Sequence, residues 1–240
     1  MKPHLVFLHG FGEDSRLWFD FMPEAFSEFS CHRPDFAAWS DCESIAAYAR
    51  KIVSELPAQE SFILIGHSMG GYIALEIANL FPERTKGVIM LHSTVLADAE
   101  EKKIQRSKTA LFIQEHGSEV FIRSFIANLF SNSYQLSHRE QLMELVDRYK
   151  TLDAHGLVTA TLAMKDRTDF QDFLSYTGIP FLFILGDQDP LIPSTGILEI
   201  LKGKDQHKYV ILDEVAHQGC YEAPQETFQA IQKFINEIHV

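Results

Sequence analysis

Cysteine is scarce in this chain, and its placement excludes a disulfide framework. The 240 residues contain only three cysteines, Cys31, Cys42 and Cys220, without the close spacings that disulfide or metal sites need. Long apolar runs are absent as well. The apolar stretch at residues 5–8 is too short for the core of a signal peptide, and none approaches the ~20 apolar residues of a membrane span. These absences predict a soluble cytoplasmic protein that does not associate with membranes.

Basic residues are outnumbered by acidic ones. The chain has 21 Lys and Arg against 33 Asp and Glu, a formal net charge of −12 at pH 7, and no basic run. Such a field repels phosphate backbones, so we expect no nucleic-acid partner, and it favours a neutral or apolar small-molecule substrate. The length suits one large α/β domain, with room for an insertion.

Short apolar runs recur along the chain with helical patterns between them. The runs cover residues 4–9, 61–67, 88–92, 180–185 and 208–212. They lack strict alternation, which is typical of strands buried on both faces of a parallel sheet. Ser40 and Glu43 have capping-box spacing and predict one helix start, 69–81 reads as a second helix, and Pro224 opens a third. The order predicts an α/β fold with helices on both faces of a mostly parallel sheet.

One long segment interrupts this alternation. Residues 95–177 contain no good strand and show only amphipathic helical patterns rich in phenylalanine. We therefore predict a core domain formed by residues 1–94 and 178–240, with a helical insertion at 95–177.

A nucleophile motif follows the second apolar run. Gly66-His67-Ser68-Met69-Gly70 has the G-x-S-x-G pattern, in which a strained turn between a strand and a helix lifts the serine hydroxyl clear of the sheet. Glycine is needed at both ends because side chains would collide across the tight turn. An apolar strand leads in and a helical pattern leads out, so Ser68 is predicted to be a catalytic nucleophile.

A serine nucleophile needs a histidine base and an acid that orients the base. Both should follow later strands, the acid first. Asp187 and Asp189 directly follow the 180–185 run, and His217 follows the 208–212 run. His217 is thus the predicted base. Either aspartate could orient it; we favour Asp189, with Asp187 capping the turn.

Attack on a carbonyl also needs two donors for the developing oxyanion. The backbone N–H of Met69, next to the nucleophile, is one candidate. The turn His9-Gly10-Phe11-Gly12 follows the first apolar run and allows a close backbone approach, so the N–H of Phe11 is the second.

These motifs and their order resemble the α/β-hydrolase family, specifically its small esterase and non-haem haloperoxidase-like branch. The matching pieces are residues 9–12, 66–71, 81–84, 186–190 with Pro193, and 217 with 222–224. In the family, the last residue of a G-x-x-D pattern is the catalytic acid, which implies Asp189. A helical cap follows the strand that here ends near Thr94, which implies that 95–177 roofs the pocket. The chain departs from the family at 34–39, where a glycine-rich loop is usual.

The motifs and the resemblance together imply a serine hydrolase that cleaves a carboxylic ester through an acyl-serine intermediate, without a metal or organic cofactor. The cap phenylalanines favour an apolar acyl ester.

One alternative is a synthase or lyase of the menaquinone-pathway type, which would use the same triad on an anionic substrate bound by cap arginines. The candidates are Arg106, Arg123, Arg148 and Arg167, unless they form a solvated face. A non-catalytic binding protein should have lost part of the triad. His67 and His92 could line the site.

Overall fold

A computed structural model describes residues 2–21, 26 and 28–238, so positions 1, 22–25, 27 and 239–240 of the predicted core lie outside the described residues. The described chain forms a six-stranded sheet in the order β2-β1-β3-β4-β5-β6, with every pairing parallel. The strands are β1 His4–Leu8, β2 Cys31–His32, β3 Phe62–His67, β4 Thr85–Leu91, β5 Phe181–Gly186 and β6 Lys208–Leu212. The predicted α/β architecture is confirmed.

The strand order places a crevice beside the first strand. From β1 the chain crosses to β2 on one side, and then returns to β3 on the other. Ligands of open α/β sheets bind at such a reversal, outside the carboxyl ends of the strands. The pairings Leu8↔Gly66 and His67↔Leu91 bring the ends of β1, β3 and β4 to one edge of the sheet.

Helices cover both faces of the sheet, as the buried strands predicted. The core helices are α1 Arg16–Phe21, α2 Ile45–Ser54, α3 Met69–Leu80, α9 Ser194–Leu201, α10 Gly219–Glu222 and α11 Pro224–Ile238. One buried cluster joins α2, α3 and α9 to one face, and a second joins α1 and α11 to the other.

One predicted helix start needs correction, and one short strand was missed. The helix expected from the Ser40 capping box begins at Ile45, because Ser44 is the N-cap and its hydroxyl accepts from the Ala47 amide at 3.2 Å. The residues before it stay outside the helix, with Cys42 buried in the core. Strand β2 was not predicted, since two residues carry no readable pattern.

The segment between β4 and β5 is helical. It contains α4 Glu100–Phe125, a 3-10 helix Ile126–Leu129, α5 Asn132–Ser137, α6 Arg139–Tyr149, α7 Ala154–Lys165 and α8 Phe173–Tyr176. Most of its apolar side chains form a third buried cluster, whereas α8 packs with the sheet. The boundaries 95 and 177 for a separate cap stay a prediction. Across the described ranges, every helix is too short or too polar to cross a membrane.

Candidate active site

Ser68 lies on a strained turn between β3 and α3. Its backbone has φ 50° and ψ −113°, a conformation that non-glycine residues rarely adopt. A Cβ on Gly66 would lie 2.4 Å from the backbone of Gly70, and one on Gly70 would lie 2.1 Å from the Leu8 carbonyl oxygen. Both glycines are therefore required sterically. The Ser93 hydroxyl donates to the Ser68 carbonyl at 2.8 Å and helps to hold the turn.

His217 connects Ser68 to Asp189. Its Nε2 lies 2.9 Å from the Ser68 Oγ, and its Nδ1 lies 2.7 Å from the Asp189 Oδ2. With Nδ1–H donating to the carboxylate, Nε2 is free to accept the serine proton. Burial alone would raise the pKa of the Asp189 carboxyl, but electrostatic attraction and a hydrogen bond from the His217 ring hold that pKa well below its ordinary value.

The two aspartates after β5 have different surroundings. Asp189 is buried, and its Oδ1 accepts from the amides of Leu191 at 2.9 Å and Ile192 at 3.0 Å. Asp187 is exposed, and its Oδ1 accepts from the Val215 amide at 3.2 Å. The structure thus brings Asp189, and not Asp187, to the histidine, while Asp187 braces the turn after β6.

His92 contacts the Asp189 carboxylate and is not among the residues that line the cavity beside Ser68. Its Nε2 accepts from the Gly219 amide at 3.1 Å, so Nδ1 carries the proton and faces the Asp189 Oδ2 at 3.4 Å. Burial lowers the pKa of His92 to about 4, which keeps the ring neutral at pH 7. Ligand-type atoms of His92, Asp189 and His217 lie within 4.8 Å of one another. Direct contacts between the rings and the carboxylate account for this closeness, so the arrangement calls for no metal.

Two backbone amides near Ser68 are available as donors. In the described part of the chain, neither the Phe11 N–H nor the Met69 N–H donates a hydrogen bond to protein. Phe11 and Met69 line one small cleft, and Met69 directly follows Ser68 in the chain. Gly12, which follows Phe11, has φ +79°, and this conformation favours glycine.

A buried ion pair that sequence patterns did not predict supports this cleft. Glu13 Oε1 accepts from the Gly10 amide at 2.7 Å and from His67 Nδ1 at 2.5 Å, and His67 Nε2 donates to the His217 carbonyl at 2.9 Å. Both ring nitrogens face oxygen atoms that can accept a hydrogen bond, an arrangement that favours the imidazolium form of His67. Burial disfavours the charged form of both groups, but their mutual attraction and hydrogen bond outweigh it. The pKa of Glu13 is therefore lowered and that of His67 is raised. No spacing rule marks Glu13 in the sequence.

Ser68 and His217 open into a cavity of about 210 Å³. Its lining is mostly apolar and includes Phe11, Phe121 and Phe125, which pack against one another. No Asp or Glu of the described residues lines it. The cavity can therefore accept an apolar chain next to the serine.

The four candidate arginines pair with carboxylates. Arg106 and Arg167 both contact the buried Asp98, the latter at 2.7 Å. Arg123 is exposed and pairs with Glu119 at 2.7 Å, and Arg148 pairs with Asp20. Of the four, only Arg106 reaches the cavity wall.

Comparison with known proteins agrees with this geometry. The family model described as alpha/beta hydrolase fold matches residues 3–224. The chain belongs to the alpha/beta hydrolase fold family. It is 25% identical to a pimeloyl-[acyl-carrier protein] methyl ester esterase of Aeromonas hydrophila, over 97% of this chain and 95% of that protein. The predicted resemblance is confirmed at the level of the family.

Solved structures share the fold of this α/β hydrolase. A thermophilic esterase from Thermogutta terrifontis, solved with malate bound, superposes with a TM-score of 0.90 at 23% identity, covering 99% of this chain and 91% of the other. MenH from S. aureus superposes with a TM-score of 0.82 at 19% identity, covering 100% and 96%. At these identities the likeness establishes the fold alone.

Proposed function

We propose that this α/β hydrolase cleaves carboxylic esters through an acyl-serine intermediate, with Ser68 as nucleophile, His217 as base and Asp189 as the orienting acid. The observation that carries the proposal is the continuous chain of contacts, 2.9 Å from Ser68 Oγ to His217 Nε2 and 2.7 Å from His217 Nδ1 to Asp189 Oδ2. It couples a strained serine to a base held in one tautomer.

The reaction divides into two acyl transfers. Ser68 Oγ attacks the ester carbonyl and gives its proton to His217 Nε2, while the N–H groups of Phe11 and Met69 stabilise the oxyanion. Collapse expels the alcohol, which takes that proton, and leaves the acyl group on Ser68. A water molecule then gives a proton to His217 and attacks the acyl carbon. The acid leaves and Ser68 recovers its proton, so the enzyme is restored without a cofactor.

The substrate is proposed to carry an apolar acyl chain. The aromatic cavity wall supports this, because each buried methylene contributes ~0.8 kcal/mol to binding. The relative from Aeromonas hydrophila is named as a methyl ester esterase, which supports ester hydrolysis as the reaction. The synthase alternative lacks this support, since it needs free arginines at the pocket and Arg106 is already bound to Asp98.

The test combines graded esters with two matched aspartate variants. We expect kcat/KM to rise from acetate to hexanoate esters until the cavity is full. Asp189→Asn should lower kcat by about 10³- to 10⁴-fold, because the wrong histidine tautomer can form. Asp187→Asn, the control, removes only a brace of the turn and should cost much less. Equal effects of the two variants, or no ester hydrolysis by the intact protein, would contradict the proposal.

A further inference from the structure

The catalytic cavity carries an excess of positive charge although the chain as a whole is acidic. Two cations, Lys102 and Arg106, line the cavity, and no carboxylate of the described residues does. Asp98 lies behind Arg106 and is shared with Arg167, so one negative charge faces two guanidinium groups. The pocket thus departs from the net charge of −12.

Lys102 is the cavity cation for which the described residues provide no ion-pair partner. Its neighbour Lys103 pairs with Glu100 at 2.7 Å, whereas no carboxylate of the described residues forms an ion pair with Lys102. Burial, followed by the charge of Arg106, lowers the pKa of Lys102. This is the direction expected for an ammonium group that is partly withdrawn from water and lacks an anion.

The polar groups form a stripe along one side of α4. Lys102, Gln105 and Thr109 all line the cavity, and their spacing of three and four residues places them on one helix face. Neither the Gln105 amide nor the Thr109 hydroxyl makes a side-chain hydrogen bond elsewhere in the described ranges. The stripe therefore offers an ammonium and two neutral donors to a group inside the cavity, opposite apolar walls.

From this arrangement we infer that Lys102, with Gln105 and Thr109, binds a carboxylate at the far end of the substrate's acyl chain. The inference rests on the proposed ester hydrolysis at Ser68 and narrows its substrate to monoesters of dicarboxylic acids. A carboxylate fits better than a phosphate, because one ammonium matches one negative charge and the guanidinium groups that bind phosphate in a bidentate manner are held by Asp98. The methylenes between the two ends contact the phenylalanine side of the cavity.

Kinetics on paired substrates test this subsite. Monomethyl esters of linear dicarboxylic acids of four to eight carbons are compared with the dimethyl esters, which keep the same chain without the charge. The intact enzyme should prefer the monoanion at one or more lengths. Lys102→Gln should lower kcat/KM for that monoanion by about 10- to 100-fold, the range of a charged hydrogen bond, and change the diester by less than about threefold.

Lys103→Gln is the matched control, because it removes an equal charge one residue away, where Glu100 already binds the lysine. It should change both substrates by less than about threefold. A preference for the neutral diester at every length would overturn the inference. So would a loss in Lys102→Gln that is equal for both substrates, which would indicate a structural role.

Binding separates failure of the subsite from failure of the proposed chemistry. Calorimetry with adipate on Ser68→Ala needs no turnover. It should detect binding that weakens by about 10-fold or more when Lys102→Gln is added. If adipate binds in this way but no ester is cleaved, the proposed hydrolysis fails while the anion site stands. If neutral esters are cleaved but adipate does not bind, the anion site fails alone.

Discussion

Glu13 and His67 connect the turn that carries Phe11 to the loop that carries His217. The Glu13 carboxylate accepts from the Gly10 amide, one residue before the proposed Phe11 donor, and the His67 ring donates to the His217 carbonyl. Gln218 adds a side-chain contact to the second Glu13 oxygen at 3.3 Å. The pair therefore joins the two loops on which the proposed attack and proton transfer depend.

The free energy of unfolding should vary with pH because of the Glu13–His67 pair. The pKa of Glu13 is lowered, so its contribution is present above the ordinary value of 4.5 and is lost as pH falls through the lowered pKa. The pKa of His67 is raised, so its contribution is present below 6.5 and is lost as pH rises through the raised pKa. The full contribution lies between these ordinary values.

Denaturant unfolding from pH 4 to pH 9 measures this effect. Glu13→Gln should lower the free energy of unfolding by about 3–5 kcal/mol inside the window, because it leaves a buried cation unpaired, and by less at the alkaline end. Glu119→Gln, on the exposed pair with Arg123, should leave the profile parallel to that of the unmodified protein. A loss in Glu13→Gln that does not vary with pH would show that the pair is not ionised.

Residues within motifs were predictable, and residues recruited by tertiary contact were not. Ser68, His217 and Asp189 follow strands at positions that local pattern and chain order define, and the structure brings all three together. Glu13 and His92 belong to no pattern, because their partners are 54 and 97 residues away in the chain. Their importance arises only when the strand ends meet.

Helix α4 forms two sides of the cavity. Gly117, with φ 82° and ψ 171°, breaks the helix into a first part that carries Lys102 and a second part that carries Phe121 and Phe125. This backbone conformation is almost restricted to glycine. The kink therefore lets one element present both the polar stripe and the aromatic wall.

Gly117→Ala should destabilise the protein by about 1–3 kcal/mol, although nothing lies within 4 Å of the added methyl group. The loss of stability would come entirely from backbone strain, because alanine disfavours a φ of +82°. Gly178→Ala is the control, since that site is equally open without a positive φ, and its effect should stay within about 0.5 kcal/mol. Denaturant unfolding measures both. An unchanged stability in Gly117→Ala would mean that the kink is not needed.

Element types were easier to predict than their ends and bends. The five apolar runs all form strands and the 95–177 segment is helical, because burial and periodicity dominate over such lengths. The start of α2 at Ile45 depended on which of two nearby serines capped it. The kink at Gly117 had no counterpart in the pattern, since a single glycine inside a helical stretch does not reveal its conformation.

The whole molecule has a negative net charge, whereas the charged side chains that line its cavity are positive. The value of −12 predicted a neutral substrate, but charge summed over 240 residues does not describe one cavity. Pairing decides the local field: Asp98 neutralises one of two arginines, and Lys102 remains free of carboxylates within the described chain. The sequence offered four arginines as candidates for a cation site and did not mark Lys102, because only the fold shows which cations line the cavity and which are already paired.

The proposed mechanism requires Ser68 to be the activated nucleophile that carries the acyl group. Intact-mass measurement after treatment with a fluorophosphonate identifies this nucleophile, because such reagents phosphonylate a serine activated by a neighbouring base. One adduct per chain is expected, located by peptide mapping to Ser68, with none in Ser68→Ala. Labelling that persists in Ser68→Ala, or an adduct on another residue such as Ser93, would remove Ser68 from the mechanism.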